Sequence, residues 1–259
     1  MAEASEHVGV EFEAGICTIT LARPRKKNAL TVAMYAAIVA AFAEARARKD
    51  VRVLLMRGSE GVFTAGNDLM DFMKAGELGP QSPVAQLLSH LAACEKPIVA
   101  AVQGPAVGIG VTMLLHCDLA YAGESARFHM PFVNLGLCPE AGSSFLLPRL
   151  MGYQRAAELI LLGEPFSAQV AHDYGLVNQV LADEAVLDRA RAAAEALTQK
   201  PPAALRASKR LLRAGYADRV EAAMASEYEA FTAGLRSPEA TEAMTAFFEK
   251  RAPDFSKFE

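Results

Sequence analysis

The sequence predicts an α/β fold built around a parallel sheet. Residues 51–57 (VRVLLMR) and 97–102 (PIVAAV) are short, almost wholly apolar runs, which is typical of strands buried on both faces. Each run leads into a glycine-containing loop, at residues 58–66 and 104–110, and a helical pattern follows each loop. The recurrence of strand, loop and helix indicates βα units, so helices are expected to cover both faces of the sheet.

Further segments fit the same plan. Residues 16–21 (ICTITL) alternate enough to form a strand, and Thr31 is suited to cap the long alanine-rich helix that follows. Residues 118–122 (DLAYA) and 176–180 (LVNQV) predict two more short strands. Ser167 is expected to cap a helix between them.

The last third of the chain predicts helices without further strands. Breaks at residues 201–202 (Pro-Pro), near Gly215 and at 237–238 (Ser-Pro) divide it into about four helices. We therefore expect an α/β core at residues 1–182 and a helical region at 183–259. Such a helical region is suited to packing against another subunit.

Composition argues against several classes of protein. With 259 residues, 52% hydrophobic and 22% charged, the chain can bury a large core without a disulfide or a metal. The net charge of −4 comes from interspersed acids and bases, without the basic stripe that nucleic acids or anionic membranes require. The four cysteines have no CxxC spacing and the five histidines form no HExxH pair, so no zinc site is expected.

No targeting or membrane segment is recognisable in the sequence. The beginning, MAEASEHVGVEF, lacks a basic region followed by an apolar one. Apolar runs stay well below the roughly 18 residues of a membrane span. A cytoplasmic protein is therefore expected.

The loop at residues 103–112 (QGPAVGIGVT) allows close approach of the backbone to a ligand. Its small residues lie between a buried strand and a helix, so the amide of Ile109 can face a carbonyl oxygen that becomes negative during a reaction. Tight packing of strand on helix is the alternative explanation of these glycines. A dinucleotide-binding loop is disfavoured because Val111, Thr112 and Met113 follow where the third glycine would stand.

A second loop, residues 63–69 (FTAGNDL), follows the earlier strand and also offers an exposed amide, that of Asn67. Two N–H donors from two loops can then converge on one oxygen. Asp68 is a candidate catalytic group, but an Asp directly before a helical segment is more often an N-cap.

Several segments together resemble the crotonase superfamily of coenzyme A thioester enzymes. They are ARPRKKNALT, FTAGNDL, KPIVAAVQGPAVGIGVTMLLHCDLAYA and ARFHMPFVNLGLCPEAGSSFLLPRLMG, in the family's order and spacing. The resemblance implies a spiral of repeated ββα units and a trimer, or dimer of trimers, held by the C-terminal helices. It also implies an acyl-CoA substrate whose thioester oxygen accepts the amides of Asn67 and Ile109.

The resemblance points to isomerisation more than to hydration. Hydratases of this family carry two glutamates, and the corresponding residues here are Thr112 and Phe132, neither of which can act as a base near neutral pH. A carboxylate stands instead at Glu140, where the sequence is similar to peroxisomal-type delta-3,delta-2-enoyl-CoA isomerases. Such isomerisation needs a base at C2 and an acid at C4, which one carboxylate can supply, and no metal or redox cofactor.

The environment of Glu140 is undecided by the sequence. Apolar neighbours such as Leu135 and Leu137 would raise the carboxyl pKa, whereas a nearby helix N-terminus would lower it. Without the resemblance, a Glu after Pro139 would be interpreted as an ordinary helix-start carboxylate.

The resemblance also suggests residues that bind the substrate, with coenzyme A as part of it. Arg25 and Lys26 belong to a basic cluster that can meet its phosphates, and Lys250 is expected to close the pocket from a neighbouring subunit. The remaining predicted binding residues are Ala65, Asp68, Gly108, Phe132 and Asn134.

Other functions remain as alternatives. Hydration, dehalogenation or thioester hydrolysis on the same scaffold would need a second group that the sequence does not reveal. A non-catalytic acyl-CoA-binding protein would keep the amide loops without needing Glu140. RNA binding is the weakest alternative, because no basic segment interleaved with aromatic residues is present.

Overall fold

The computed structural model describes residues 6–74, 79 and 81–258 and contains the expected sheet. Within these residues, a six-stranded sheet has the order β1-β2-β3-β4-β6-β9. Its strands are β1 Val8–Glu13, β2 Ile16–Leu21, β3 Val53–Gly58, β4 Ile98–Val102, β6 Leu119–Gly123 and β9 Gln179–Leu181. Strands β1 and β2 are antiparallel, and every other neighbouring pair is parallel.

The central strands are buried on both faces, as the apolar runs predict. Alternate residues of β3 enter different apolar clusters: Leu54 and Met56 face the larger one, whereas Val53 and Leu55 face the smaller. The larger cluster lies under helices that precede β4, and the smaller under a later helix that contributes Ala190. Removing both faces of the strands from water is the main source of stability of such a sheet.

A second, smaller sheet was not predicted. It consists of β5 Pro105–Val107, β7 Arg127–His129 and β8 Phe166–Ser167, in that order. Strand β5 lies inside the segment that the sequence suggested was only a glycine loop, because three residues are too few to produce a visible alternation. Strand β1 was missed too, and β9 begins three residues later than the predicted segment 176–180.

The helices surround both sheets. They are α1 Val32–Ala47, α2 Leu69–Lys74, α3 Pro83–Ala93, α4 Ile109–Thr112, α5 Ser143–Met151, α6 Tyr153–Ala157, α7 Ala168–Asp173, α8 Val186–Thr198, α9 Pro202–Ala214, α10 Ala217–Leu235 and α11 Pro238–Glu249. The predicted caps are confirmed, since the hydroxyl of Thr31 accepts the amide of Met34 and that of Ser167 accepts the amide of Val170. In the described part of the chain, the four helices α8 to α11 follow residue 183, with breaks where they were predicted.

An ion pair with a buried lysine joins the C-terminal helices to the sheet. The Nζ atom of Lys209 on α9 lies 2.7 Å from Oδ2 of Asp118 and donates to the carbonyl of Lys96 at 2.8 Å. On the same helix, Arg213 donates to the carbonyl of His116 at 2.6 Å. Among the described residues, no helix has the length and apolarity needed to cross a membrane.

We expect Lys209→Met to lower the free energy of unfolding by about 1–2 kcal/mol, because it removes the hydrogen bonds of the buried ammonium group to Asp118 and to the carbonyl of Lys96. Urea unfolding at a fixed protein concentration measures this. Arg210→Met, at the exposed neighbouring residue, is the control and should change the value by about 0.5 kcal/mol or less. Equal losses in the two variants would contradict the interpretation.

Candidate active site

A cavity of about 1500 Å³ lies between the sheet and the C-terminal helices. Its walls come from the loops after β3 and β4, from helices α3, α10 and α11, and from the turn before α5. Many wall residues are apolar, including Leu88, Val220, Met224, Phe231, Met244 and Phe247. A cavity of this size can enclose the acyl part of a ligand.

The loops after β3 and β4 are tied together at the cavity. Thr64 donates its amide to Pro105 at 2.9 Å and accepts the amide of Val107 at 3.0 Å, as in a short sheet. Next to this ladder, Gly66 has φ +83°, and a Cβ atom there would lie 2.7 Å from the carbonyl oxygen of Val107. Only glycine fits such a close approach in this conformation, so the contact holds the two loops in a fixed relation.

Two main-chain amides of these loops are free to bind a ligand. Around Asn67, the amide of Leu30 donates to Gly66 at 2.8 Å and that of Asp68 donates to Leu30 at 2.9 Å. Ile109 is the first residue of α4, where helix geometry provides no acceptor for an amide. Within the described residues, neither the Asn67 nor the Ile109 amide has an acceptor, and both residues line the cavity.

Glu140 lies in the turn between residues 136 and 142 and reaches the same cavity. The residue as a whole is half-buried, and Oε1 of its carboxyl group accepts a hydrogen bond from the hydroxyl of Thr112 on α4. The carbonyl of Glu140 accepts the hydroxyl of Ser143 at 2.5 Å. Helix α5 begins three residues later, and its first amides bind another carboxylate, so Glu140 does not act as a helix cap.

Desolvation dominates the electrostatics of Glu140. Burial of the carboxyl group raises its pKa to about 7, the hydrogen bond from Thr112 opposes this increase, and the charge of Glu227 adds to it. The sequence left open which effect prevails, and burial prevails here. Near neutral pH the group is therefore present both as a base and as its conjugate acid.

Three residues around the site were missed by the sequence analysis. Thr112 was considered only as a base, although its hydroxyl is a donor to Glu140. Tyr35, which is fully buried, donates to Oδ1 of Asn67 at 2.6 Å. Glu227 on α10 binds the start of α5. No local pattern marks these contacts, because each joins segments that are far apart in the chain.

A family model, characterised proteins and solved structures that resemble this chain all point to the same protein family. The model of the enoyl-CoA hydratase/isomerase family matches residues 11–257. The chain is 35% identical to 2,3-dehydroadipyl-CoA hydratase of Escherichia coli (93% of this chain and 94% of that protein covered). It is 34% identical to enoyl-CoA delta isomerase 2 of Rattus norvegicus (96% and 65%). The solved structure of Pseudomonas aeruginosa OdaA superimposes with a TM-score of 0.92 at 48% identity, covering 94% of this chain and 99% of that one.

The chain belongs to the enoyl-CoA hydratase/isomerase family. The predicted crotonase superfamily and fold class are thereby confirmed. Membership makes the chain an acyl-CoA enzyme of the hydratase/isomerase type. The names of the relatives include both hydratases and isomerases, so they leave the individual reaction open.

Most of the predicted binding residues of this family member line the cavity. They are Lys26, Ala65, Asp68, Gly108, Phe132 and Asn134. Phe132 is buried and supplies apolar wall, whereas Asn134 is exposed on the short helical turn before Glu140. Asp68 accepts the amide of Asp71 at 3.2 Å and pairs with Arg23 at 2.7 Å, which confirms that it caps α2.

Two basic residues lie away from the cavity wall of the single chain. Arg25 is exposed on the turn before α1, and its predicted role at the phosphates stays a prediction. Lys250 is exposed in a left-handed conformation at the end of α11. Its neighbour Arg251 lines the cavity but is bound to Glu242. Lys250 was predicted to close the pocket of a neighbouring subunit, and this role stays a prediction.

Several cysteine and histidine side chains of the described residues are buried, away from the free amides and Glu140 or bound to the main chain. In that part of the chain, no group of three His, Cys, Asp or Glu residues is arranged to hold a metal ion. Burial raises the pKa of Cys17 and of Cys117 to about 12, so these thiols stay protonated. Burial also lowers the pKa of His116 to about 4, so its neutral ring donates to the carbonyl of Ala141 at 2.7 Å.

We expect Thr112→Val to move the titration of Glu140 to higher pH, since the lost hydroxyl stabilised the charged carboxylate. Carboxyl-detected NMR on protein labelled with ¹³C-glutamate measures the midpoint, which should lie near pH 7 in the wild type. Thr112→Ser keeps the hydroxyl and is the matched control. An unchanged midpoint in the valine variant would refute the role of this hydrogen bond.

Proposed function

We propose that the protein isomerises 3-enoyl-CoA esters to 2-enoyl-CoA esters. The observation that carries the proposal is a carboxylate, that of Glu140, with a pKa of about 7 on the wall of a cavity that also presents two free amides. A base of this strength is suited to proton transfer near neutral pH, because its ionised and protonated forms are both populated.

The reaction can be written with the residues of this chain. The carboxylate of Glu140 removes a proton from C2, and the electron pair of that C–H bond moves into the conjugated system to form a dienolate. The amides of Asn67 and Ile109 donate to the thioester oxygen, where the negative charge develops. The protonated Glu140 then delivers its proton to C4, which restores the carboxylate. Atoms, charge and electrons balance without another reactant.

The other carboxylates of the cavity are less suited to act as a second acid–base group for hydration. Asp68 is paired with Arg23, and both oxygens of Glu227 accept main-chain amides. Asp218 and Glu221 also line the cavity but are exposed on α10. At the two places where hydratases of the resembled type carry glutamate, the chain has Thr112 and Phe132. Among the described carboxylates of the cavity, Glu140 alone combines a raised pKa with an oxygen that binds neither a main-chain amide nor a cation, which supports isomerisation over hydration.

The proposal also covers the oligomeric state and the cellular location of the enzyme. A trimer, or a dimer of trimers, is supported by the apolar side chains that α9 and α11 expose, among them Leu211, Leu212 and Phe247. A cytoplasmic location stays a prediction from the sequence, and a role in fatty-acid β-oxidation is part of the present proposal.

Glu140→Gln should lower kcat/KM for a 3-enoyl-CoA by roughly a hundredfold or more, since a general base typically contributes this much. Conversion to the conjugated 2-enoyl ester is followed spectroscopically, and the Kd of the substrate is measured by calorimetry. Binding should persist, because glutamine has nearly the same shape. Glu229→Gln, an exposed glutamate on α10, controls for the loss of one negative charge.

The same variants are tested on a 2-enoyl-CoA in water. Little hydration is expected from the wild type. Hydration that survives in Glu140→Gln, without isomerisation by the wild type, would refute the proposed reaction. Ligand binding without either activity would favour a non-catalytic acyl-CoA-binding protein.

For the wild type, kcat/KM should rise with pH through about 7, because the reacting form of Glu140 is the carboxylate and its pKa is raised to that value. Between pH 6 and pH 8 the increase should be about tenfold, as expected for one ionisation at the middle of this range. A pH–rate profile measures it, with a 3-enoyl-CoA whose acyl chain carries no ionisable group. A limb centred near pH 4 would instead indicate a base in contact with water.

A further inference from the structure

Glu227 is a buried carboxylate that the reaction does not use. It lies in the middle of α10, where only Val220 and Glu227 of the described residues are buried. The residue is 6% exposed. A carboxylate that is removed from water in this way needs strong hydrogen-bond partners.

The partners of Glu227 are the amides that begin α5. Oε2 accepts the amide of Gly142 at 2.6 Å, and Oε1 accepts the amide of Ser144 at 2.7 Å. The cap residue of α5, Gly142, has no side chain that could accept the amide of Ser144, as an N-cap side chain ordinarily does. The carboxylate of α10 therefore replaces the missing cap, and its charge also interacts favourably with the positive end of the helix.

The capped segment is the turn that carries Glu140. Ala141 and Gly142 both have a left-handed backbone, with φ +64° and φ +72°. For Ala141 this conformation costs on the order of 1 kcal/mol, so surrounding contacts must hold it. Glu227 accepts the amides of Gly142 and Ser144, which flank Ser143. A movement of α10 would therefore move the turn that carries Glu140.

Glu227 also acts on Glu140 through its charge. Its proximity raises the pKa of Glu140, in addition to the effect of burial. The pKa of Glu227 is itself raised by burial, while its bonds to Ser144 and Gly142 favour the charged form. Other titratable or charged groups around the turn and the helices packed on it are Tyr35, His116, Cys138, Arg149, Arg213, and Glu242 with Arg251.

We propose that Glu227 is a positioning residue for the reaction, which holds the turn of Glu140 in place and keeps a second negative charge beside it. The inference rests on the proposed function of Glu140 as the base. Its consequence is that the base depends on a helix of the C-terminal region, since two oxygens of one side chain on α10 secure the turn. Glu227 itself never touches the reacting atoms.

The test compares Glu227→Gln with Glu229→Gln on the same helix. Removing the charge of Glu227 should move the titration midpoint of Glu140 to lower pH in the ¹³C-glutamate NMR experiment, where loss of the signal in Glu140→Gln assigns it. In the pH–rate profile, kcat/KM at pH 6 relative to its plateau should increase about threefold or more, because a larger fraction of the base is ionised. Glu229→Gln should match the wild type.

The outcomes separate a charge effect from a structural one. A lower kcat with an unchanged midpoint would mean that Glu227 only supports the fold, and would overturn the proposal. If Glu227→Gln does not fold, Glu140→Gln provides the reciprocal measurement, because two interacting carboxylates shift each other. The signal of Glu227 should then move to lower pH, and an unchanged signal would overturn the proposal.

The NMR titration is also independent of the substrate. If the two carboxylates shift each other's titration but the enzyme does not isomerise 3-enoyl-CoA, the proposed function is refuted. The electrostatic interaction between Glu227 and Glu140 would still be established. Isomerisation without coupling would support the proposed function and overturn the role of Glu227.

Discussion

The withdrawal of the Glu140 carboxyl group from water is the constraint on which the site depends. In water a glutamate is too weak a base to remove a carbon-bound proton at an appreciable rate, and burial changes this by destabilising its charge. The hydrogen bond from Thr112 stabilises the charged form and limits the change. The balance of these two effects leaves a group that can both accept and release a proton near neutral pH.

The sheet supplies the complementary part of the site. Parallel strands end at a common edge, so the loops that follow β3 and β4 meet there. Their short ladder through Thr64 and the close contact at Gly66 hold the amides of Asn67 and Ile109 in rigid backbone. Donors that are already oriented need no reorganisation when charge develops on an oxygen, which is the basis of electrostatic stabilisation in enzymes.

The C-terminal helices complete the cavity instead of merely extending the fold. Helices α10 and α11 contribute much of its apolar wall, and the Lys209–Asp118 pair attaches α9 to the sheet. Through Glu227 the same region reaches the turn of the base. The proposed base and the two free amides thus come from the α/β part of the chain, whereas the walls that enclose them include the helical region.

Elements with local signals could be predicted from the sequence. The apolar runs at 51–57 and 97–102 became buried parallel strands, and Thr31 capped α1, because alternation, burial and capping depend on neighbouring residues. Motif order was sufficient to identify the family and to select Glu140 as the candidate base.

The environment of Glu140 could not be predicted from the sequence. The partners of the Glu140 turn, Thr112 and Glu227, come from other parts of the chain, as does Tyr35 beside Asn67. Desolvation and charge–charge interaction depend on distances through space, which no spacing in the sequence records. For the same reason the sequence could name two opposing influences on the pKa of Glu140. The packing of the cavity decides between them, and the pKa is raised.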